Sequence, residues 1–246
     1  MSLVVNTNIA SMNAQRSLMH SSRELQTAME RLSTGQKINS AADDAAGFAI
    51  AESMTAQVRG LSMAVKNAND GMSLLRVVEN ATNDVTDMLQ RIRELAVQAA
   101  NGTNSGDDVS NLQAEASALV EEIDRVASNT TFNGTAYLST DGPRQIGIQV
   151  GYNDGDQIEL KTHDVGSMAL GIASLDIDAD DVLETVSDAI DIVAGHKADW
   201  GASQNRLQYT VANLMNVVEF TSAARSRIQD ADFAVEAARL SKAQIL

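Results

Sequence analysis

The densest run of possible ligands in this 246-residue sequence is Asp176-Ile177-Asp178-Ala179-Asp180-Asp181. Alternating aspartates of this kind open calcium loops, where carboxylate oxygens surround the ion. Such a loop also needs glycine at its sixth position and glutamate at its twelfth, and the chain places Asp181 and Ser187 there. The run is better read as acidity at a helix start, where unpaired N–H groups and the helix dipole favour negative charge. The three histidines, His20, His163 and His196, have no metal-ligand spacing, and two of them fall on helical stretches. No serine sits in a Gly-x-Ser-x-Gly elbow, and there is no phosphate loop, dinucleotide fingerprint or His-Glu-x-x-His pair. The absence of cysteine removes disulfides, thiolate metal sites and cysteine nucleophiles together. The residues therefore predict no enzyme, no cofactor and no metal centre. The sequons at Asn80, Asn101, Asn129 and Asn133 read as chance matches, because no secretory signal peptide precedes them.

The elements that must carry whatever function remains are helices. Aromatic residues make up 3% of the chain and proline occurs once, at Pro143. A core without rings suits thin seams between helices, and scarce proline permits very long helices, since an internal proline costs about 3 kcal/mol. The net charge of -15 disfavours binding to nucleic acid. No stretch is apolar and long enough to insert into a membrane as a helix.

Residues 3 to 33 read as one helix with Leu18, Leu25 and Leu32 seven apart, closed by Thr34-Gly35. A polar connection follows, and Ser40 with Asp43 resembles a capping box that opens a second helix. Its stripe runs from Met54 through Val58, Leu61, Val65, Ala68, Met72 and Leu75, and resumes at Thr82, Val85, Leu89, Ile92 and Ala96. A continuous helix there spans about 55 residues, or about 80 Å. The loop Asn101 to Gly106 is short enough to force an antiparallel reversal, with Asp107 or Asp108 capping the third helix. Alternation at Ile146, Ile148 and Val150, and again at Ile158 and Leu160, predicts a β-hairpin within about residues 129–178. Asp180 or Asp181 then caps a last helix expected to run unbroken from about Val182 to the end. The expected fold is mainly α: an elongated antiparallel helical bundle or coiled-coil rod with a small β-hairpin region. The apolar stripes at both termini predict completion against other chains.

Several of these stretches resemble bacterial flagellin. They are Val5-Asn6-Thr7-Asn8-Ile9 with Leu18; Arg31-Leu32-Ser33-Thr34-Gly35 continuing through Ile38 to Gly47; Asn67 to Gly71; Gln90-Arg91-Ile92-Arg93-Glu94-Leu95-Ala96-Val97-Gln98; Thr131-Phe132-Asn133-Gly134; Gln204 to Leu207; and Ser226 to Asp232. They stand in the family's order from residue 5 to 246. The resemblance implies a structural subunit of the flagellar filament, secreted to the cell exterior by a type III export apparatus with an export chaperone, and not an enzyme. It implies an inner-core polymerisation helix at 1–40, an outer-core helical domain at 41–230, and the start of a C-terminal inner-core helix at 231–246. Ile9, Met12, Leu18, Leu25, Leu32, Val235 and Leu246 are the residues expected on the polymerisation helices.

Family members usually carry large variable outer domains, whereas only about 50 residues separate the two halves here, which implies a minimal, core-only member. The family also continues past Leu246, so a truncated product that polymerises poorly, with residues 1–40 mobile in the free monomer, is expected. By resemblance, a vertebrate Toll-like receptor would be contacted through Arg91 and Leu95 on the second helix and Glu115 on the third, all expected to be exposed. The alternative is a flagellar junction protein or another coiled-coil interaction module, and the Gln90–Gln98 run argues against it.

Overall fold

The computed structural model describes residues 8–139 and 144–245. The chain is mainly α, with helices α1 (Ile9–Thr34), α2 (Ala45–Ala99), α3 (Gly106–Asn129), α4 (Val182–Gln229) and α5 (Phe233–Ile245). Its strands are β1 (Thr131–Phe132), β2 (Thr135–Ala136), β3 (Arg144–Gln149) and β4 (Gln157–Thr162). The described residues form two compact units: those up to Gly60 together with those from Asn216 onward, and those between Leu61 and Met215.

In the first unit, Asn8 caps α1 by accepting from Ser11 N at 3.0 Å. Gly35 ends the helix with φ 73°, a left-handed conformation that other residues adopt only with strain, and its N–H returns to the Arg31 carbonyl. The Ser40–Asp43 pair is a turn ahead of α2 and not its cap. The Asp43 carboxylate accepts from the N–H groups of Ser40 and then Asn39, and these bonds hold its pKa below the ordinary carboxylate value. Asp44 makes the cap instead, with Oδ1 accepting from Gly47 N at 3.0 Å.

The last helix is not continuous as expected. It stops at Gln229, and Asp232 restarts it by accepting from Ala234 N and Val235 N. The helix-to-helix connections of the two chain halves pair with each other. Gln36 forms an antiparallel bridge with Asp230, Lys37 N donates to Gln229 O at 2.8 Å, and Ala231 N donates to Gly35 O at 2.9 Å. These bonds satisfy backbone groups that the helix ends would otherwise leave open. Turned back in this way, α5 packs antiparallel on α1, with Glu236 beside Arg31 and Lys242 toward His20. Ala28 and Ala243 are buried in this seam.

The second unit holds the main core. Leu75, Leu89, Ile92 and Leu95 of α2, Ile123 of α3, and Val186, Val193, Trp200 and Leu207 of α4 are buried in one cluster. Ser105, rather than Asp107 or Asp108, caps α3. Its hydroxyl accepts from Asp108 N while the Asp108 carboxylate accepts from Ser105 N, a complete capping box. Helix α4 runs antiparallel to α2. Gln204 donates to Glu79 and Lys197 to Asn83, so the partner number falls as α2 advances.

The hairpin expected around Ile146 and Leu160 is present, in register from Arg144↔Thr162 to Gln149↔Gln157. Ile158, Leu160 and Thr162 alternate inward, with Ile158 and Leu160 closing over the helical core. A smaller hairpin, β1–β2, was not anticipated. Asn133 (φ 50°) and Gly134 (φ 76°) make its tight turn, the Asn-Gly chemistry that mirror-image hairpin turns require.

Candidate assembly and recognition surfaces

The residues expected on the polymerisation helices divide into two groups. Leu25 and Leu32 are half-buried on α1 within the part of the helix that α5 covers. Ile9, Met12 and Leu18 are 70%, 55% and 64% exposed, and Val235 of α5 is 47% exposed. Leu246 lies outside the described residues. Helix α5, described as far as Ile245, lies along only about half of α1, near 20 Å of 39 Å. Every described residue from Asn8 to His20 is exposed. The apolar side chains there, with Phe233 and Ile245 of α5, form surface that the unit does not bury.

The α1–α5 seam carries one buried charge. Glu236 is buried, and its Oε1 accepts from Arg31 Nη1 at 3.2 Å and from Arg239 Nη1 at 2.8 Å. Two guanidinium groups on one carboxylate offset the cost of burying it. This group was not singled out in the sequence. The signal lay in spacing: Glu236, Leu240 and Ala243 recur at steps of four and three, and they form the covered face of α5.

On the second unit, Arg91 and Glu115 stand together as expected, whereas Leu95 does not join them. Arg91 Nε and Nη2 both donate to Glu115 Oε1, at 3.0 and 2.9 Å, and Nη1 donates to Glu94 Oε2 at 2.9 Å. Arg91 and Glu115 are about half exposed. The bonds to Glu94 and then Glu115 raise the arginine's pKa, so the cation is fixed. Leu95 is fully buried. It belongs to the core because α2 packs on α3 and α4 at once, and this buries an arc wider than the single stripe at Thr82, Val85, Leu89, Ile92 and Ala96. An exposed contact role for Leu95 is therefore corrected to a core role.

The scattered histidines are not all apart. His163, just after β4, and His196 of α4 stack face to face, with ring centroids 4.1 Å apart and planes 4° from parallel. The aspartates from 176 to 181 form local turns, with Asp176 accepting from Asp178 N. Among the described residues no group of three or more His, Asp or Glu side chains is disposed to hold a metal, and no helix is long and apolar enough to cross a membrane.

Comparison with known proteins gives this architecture a family. The bacterial flagellin N-terminal helical region matches residues 5–141, and the flagellin C-terminal helical region matches residues 183–246. A flagellin of Halalkalibacterium halodurans is 41% identical, covering 99% of this chain and 92% of that protein. The flagellin of Bacillus subtilis is 39% identical, covering 98% of this chain and 92% of its own length. The crystal structure of Bacillus cereus flagellin superposes with a TM-score of 0.54 at 33% identity, covering 61% of this chain and 88% of that one. With both conserved helical regions matched and only a short segment between them, the chain belongs to the bacterial flagellin family as a core-domain member, a structural protein of the extracellular flagellar filament and not an enzyme.

Proposed function

We propose that this flagellin polymerises through the uncovered face of α1 and the adjoining face of α5. The observation that carries the reading is the run of apolar side chains at Ile9, Met12, Leu18 and Met19, which stand exposed on α1. Apolar surface of this kind is stabilised when a neighbouring subunit removes it from water, by about 25 cal/mol per Å². The test is Leu18→Glu compared with the native chain, each added to seeds of flagellar filament and followed by sedimentation and electron microscopy. The substitution leaves monomer helicity and melting unchanged, because Leu18 makes no buried contact, and it removes filament mass. Normal filaments from this variant would overturn the reading.

Delivery to the filament uses a type III export apparatus and an export chaperone, with the chain unfolded in transit. The lack of cysteine in the whole sequence supports this, since no disulfide can obstruct threading. Loss of the export gate should leave the protein inside the cell, and its continued appearance in the medium would contradict the route.

A second reading concerns recognition by a vertebrate Toll-like receptor. The exposed Arg91–Glu115 bridge between α2 and α3 favours it, because a two-helix charged patch presents a fixed cation and an anion to a partner. Arg91→Asp reverses the cation while leaving the core intact. Receptor activation should fall sharply, and an unchanged response would remove the patch from the contact.

A further inference from the structure

We infer that the stacked pair His163–His196 is a proton-operated latch, holding the segment after β4 against α4 at neutral pH and releasing it in mild acid. The two imidazoles lie nearly parallel at 4.1 Å, a contact that suits neutral rings and that a positive charge on both would break. Neither His163 Nε2 nor His196 Nδ1 has a hydrogen-bond partner among the described residues. The rings line a groove of about 670 Å³, with Asp124, Asp164 and Ser167 on its other walls.

The charged groups around the pair are few. On α4, Asp199 Oδ2 lies 3.5 Å from His163 Nε2. On α3, Asp124 is occupied in accepting from Ser167 N and Oγ, at 2.7 and 2.8 Å. In the segment itself, Asp164 accepts from Gly166 N at 2.8 Å. On β4, Lys161 and Glu159 point to the solvent side of the hairpin. Toward α2, Lys197 Nζ donates to Asn83 and so turns from the rings. Asp199 lies on the His163 side of the stack, whereas a proton on His196 Nδ1 finds no acceptor among the described residues. Burial, then the neighbouring His163, holds the His196 pKa below the ordinary histidine value, and the Asp199 charge offsets this only in part.

The direction of the pH effect follows. A base whose pKa is depressed in the closed form binds its proton more readily in the open form. The latch is therefore fully closed above the ordinary histidine pKa of about 6.5, and it weakens as pH falls below that value. What opens is the segment from His163 to Ile172, which the bonds Val165 N to Leu138 O and Ser167 to Asp124 tie to the rest of the unit. The chain's one tryptophan reports the event. Trp200 is fully buried, one turn after His196 on α4, with its ring 6.3 Å from His163 and 6.2 Å from His196.

Amide hydrogen exchange on the full chain, kept monomeric by dilution and corrected for the pH dependence of intrinsic exchange, tests the latch. Protection at Val165, Leu170 and Ile172 should fall between pH 6.5 and pH 5, by no more than about tenfold per pH unit because one proton is linked to opening, while protection in α3 is unchanged. His196→Gln should abolish that acid response. Equal protection in the native chain at both pH values, or the same acid loss in His196→Gln, overturns the latch. Trp200 emission of the unsubstituted chain gives a readout that needs no variant. It should be quenched over the same interval as imidazolium forms beside the indole, and emission that stays flat from pH 7.5 to pH 5 also overturns the proposal.

Discussion

Arg31 Nη1 donates to Glu236 Oε1 across the α1–α5 seam at 3.2 Å, and the acceptor side chain is 6% exposed. Replacing Glu236 by Ala leaves Arg31 in the seam without its carboxylate, and Arg31 Nε already lacks a partner there. Breaking a buried pair from one side costs about 3–5 kcal/mol. Arg31 is 21% exposed and Arg239 can turn to water, so a loss of about 1–3 kcal/mol is expected. Hydrogen exchange resolves where it falls. Protection should drop in residues 9–34 and 233–245 and hold at Leu89 and Ile92, and a uniform loss across both units would contradict a local role.

Leu95 and Arg91 separate stability from recognition. Leu95 is fully buried in the three-helix core, so Leu95→Ala opens a cavity worth about 2–4 kcal/mol and lowers the melting temperature. Arg91→Asp removes an exposed bridge, and its melting temperature should stay within a few degrees of the native value. Melting by circular dichroism distinguishes the two. A Leu95→Ala chain as stable as the native one would return Leu95 to the surface.

What was legible in the sequence follows the physics of each signal. A long stripe of Leu, Val, Ile, Met and Ala marked α2 well, because a helical period persists there over many turns. The hairpin was legible from the change to a two-residue period. The end of α4 was not, because Ile228, Ala231 and Val235 keep the helical spacing across a break that Asp232 makes by capping α5. Local side-chain bonds decided the helix starts as well. Asp44 caps α2 four residues after Ser40, and Ser105 caps α3 two or three residues before Asp107 and Asp108, the positions expected from sequence. Leu95 was misplaced because a stripe describes one partner helix, whereas α2 faces two. The meeting of His163 with His196 joins residues 33 positions apart, and no local pattern encodes it.

Gly71 shows a further limit of local reading, since a glycine inside a helix looks like a cost of about 1 kcal/mol relative to alanine. In the fold it faces the β3–β4 hairpin at close range. A Cβ there would lie 3.2 Å from Ile148 Cγ1 and 3.4 Å from Leu160 Cδ1. Gly71→Val adds two methyl groups beyond that Cβ and pushes the hairpin outward, at a cost of about 1–3 kcal/mol. Gly71→Ala should be far milder, because the gain in helix propensity offsets a shift of a few tenths of an ångström by two flexible side chains. Urea melts of the two variants test the ranking, and a Val variant as stable as the Ala variant would mean the hairpin does not rest there.

The start of α3 gives a prediction in which pH reveals the mechanism. The Ser105 hydroxyl, then its backbone N–H, donates to the Asp108 carboxylate, with Oγ to Oδ2 at 2.6 Å, and these bonds hold the Asp108 pKa below the ordinary value. A depressed carboxylate pKa contributes stability that is present above the unfolded-state value of about 3.9 and is lost as pH falls through the folded-state value. Ser105→Ala removes the hydroxyl from both halves of the capping box and should cost about 1 kcal/mol at pH 7. As pH falls through the folded-state value the native chain itself loses the charged part of the box, so the gap between native and variant should narrow as acid is added. What remains is the bond from Asp108 N to Ser105 Oγ, which needs no charge. Thermal melts at pH 7 and pH 3 measure the two gaps, and a gap of the same size at both would show that the carboxylate contributes nothing to the cap.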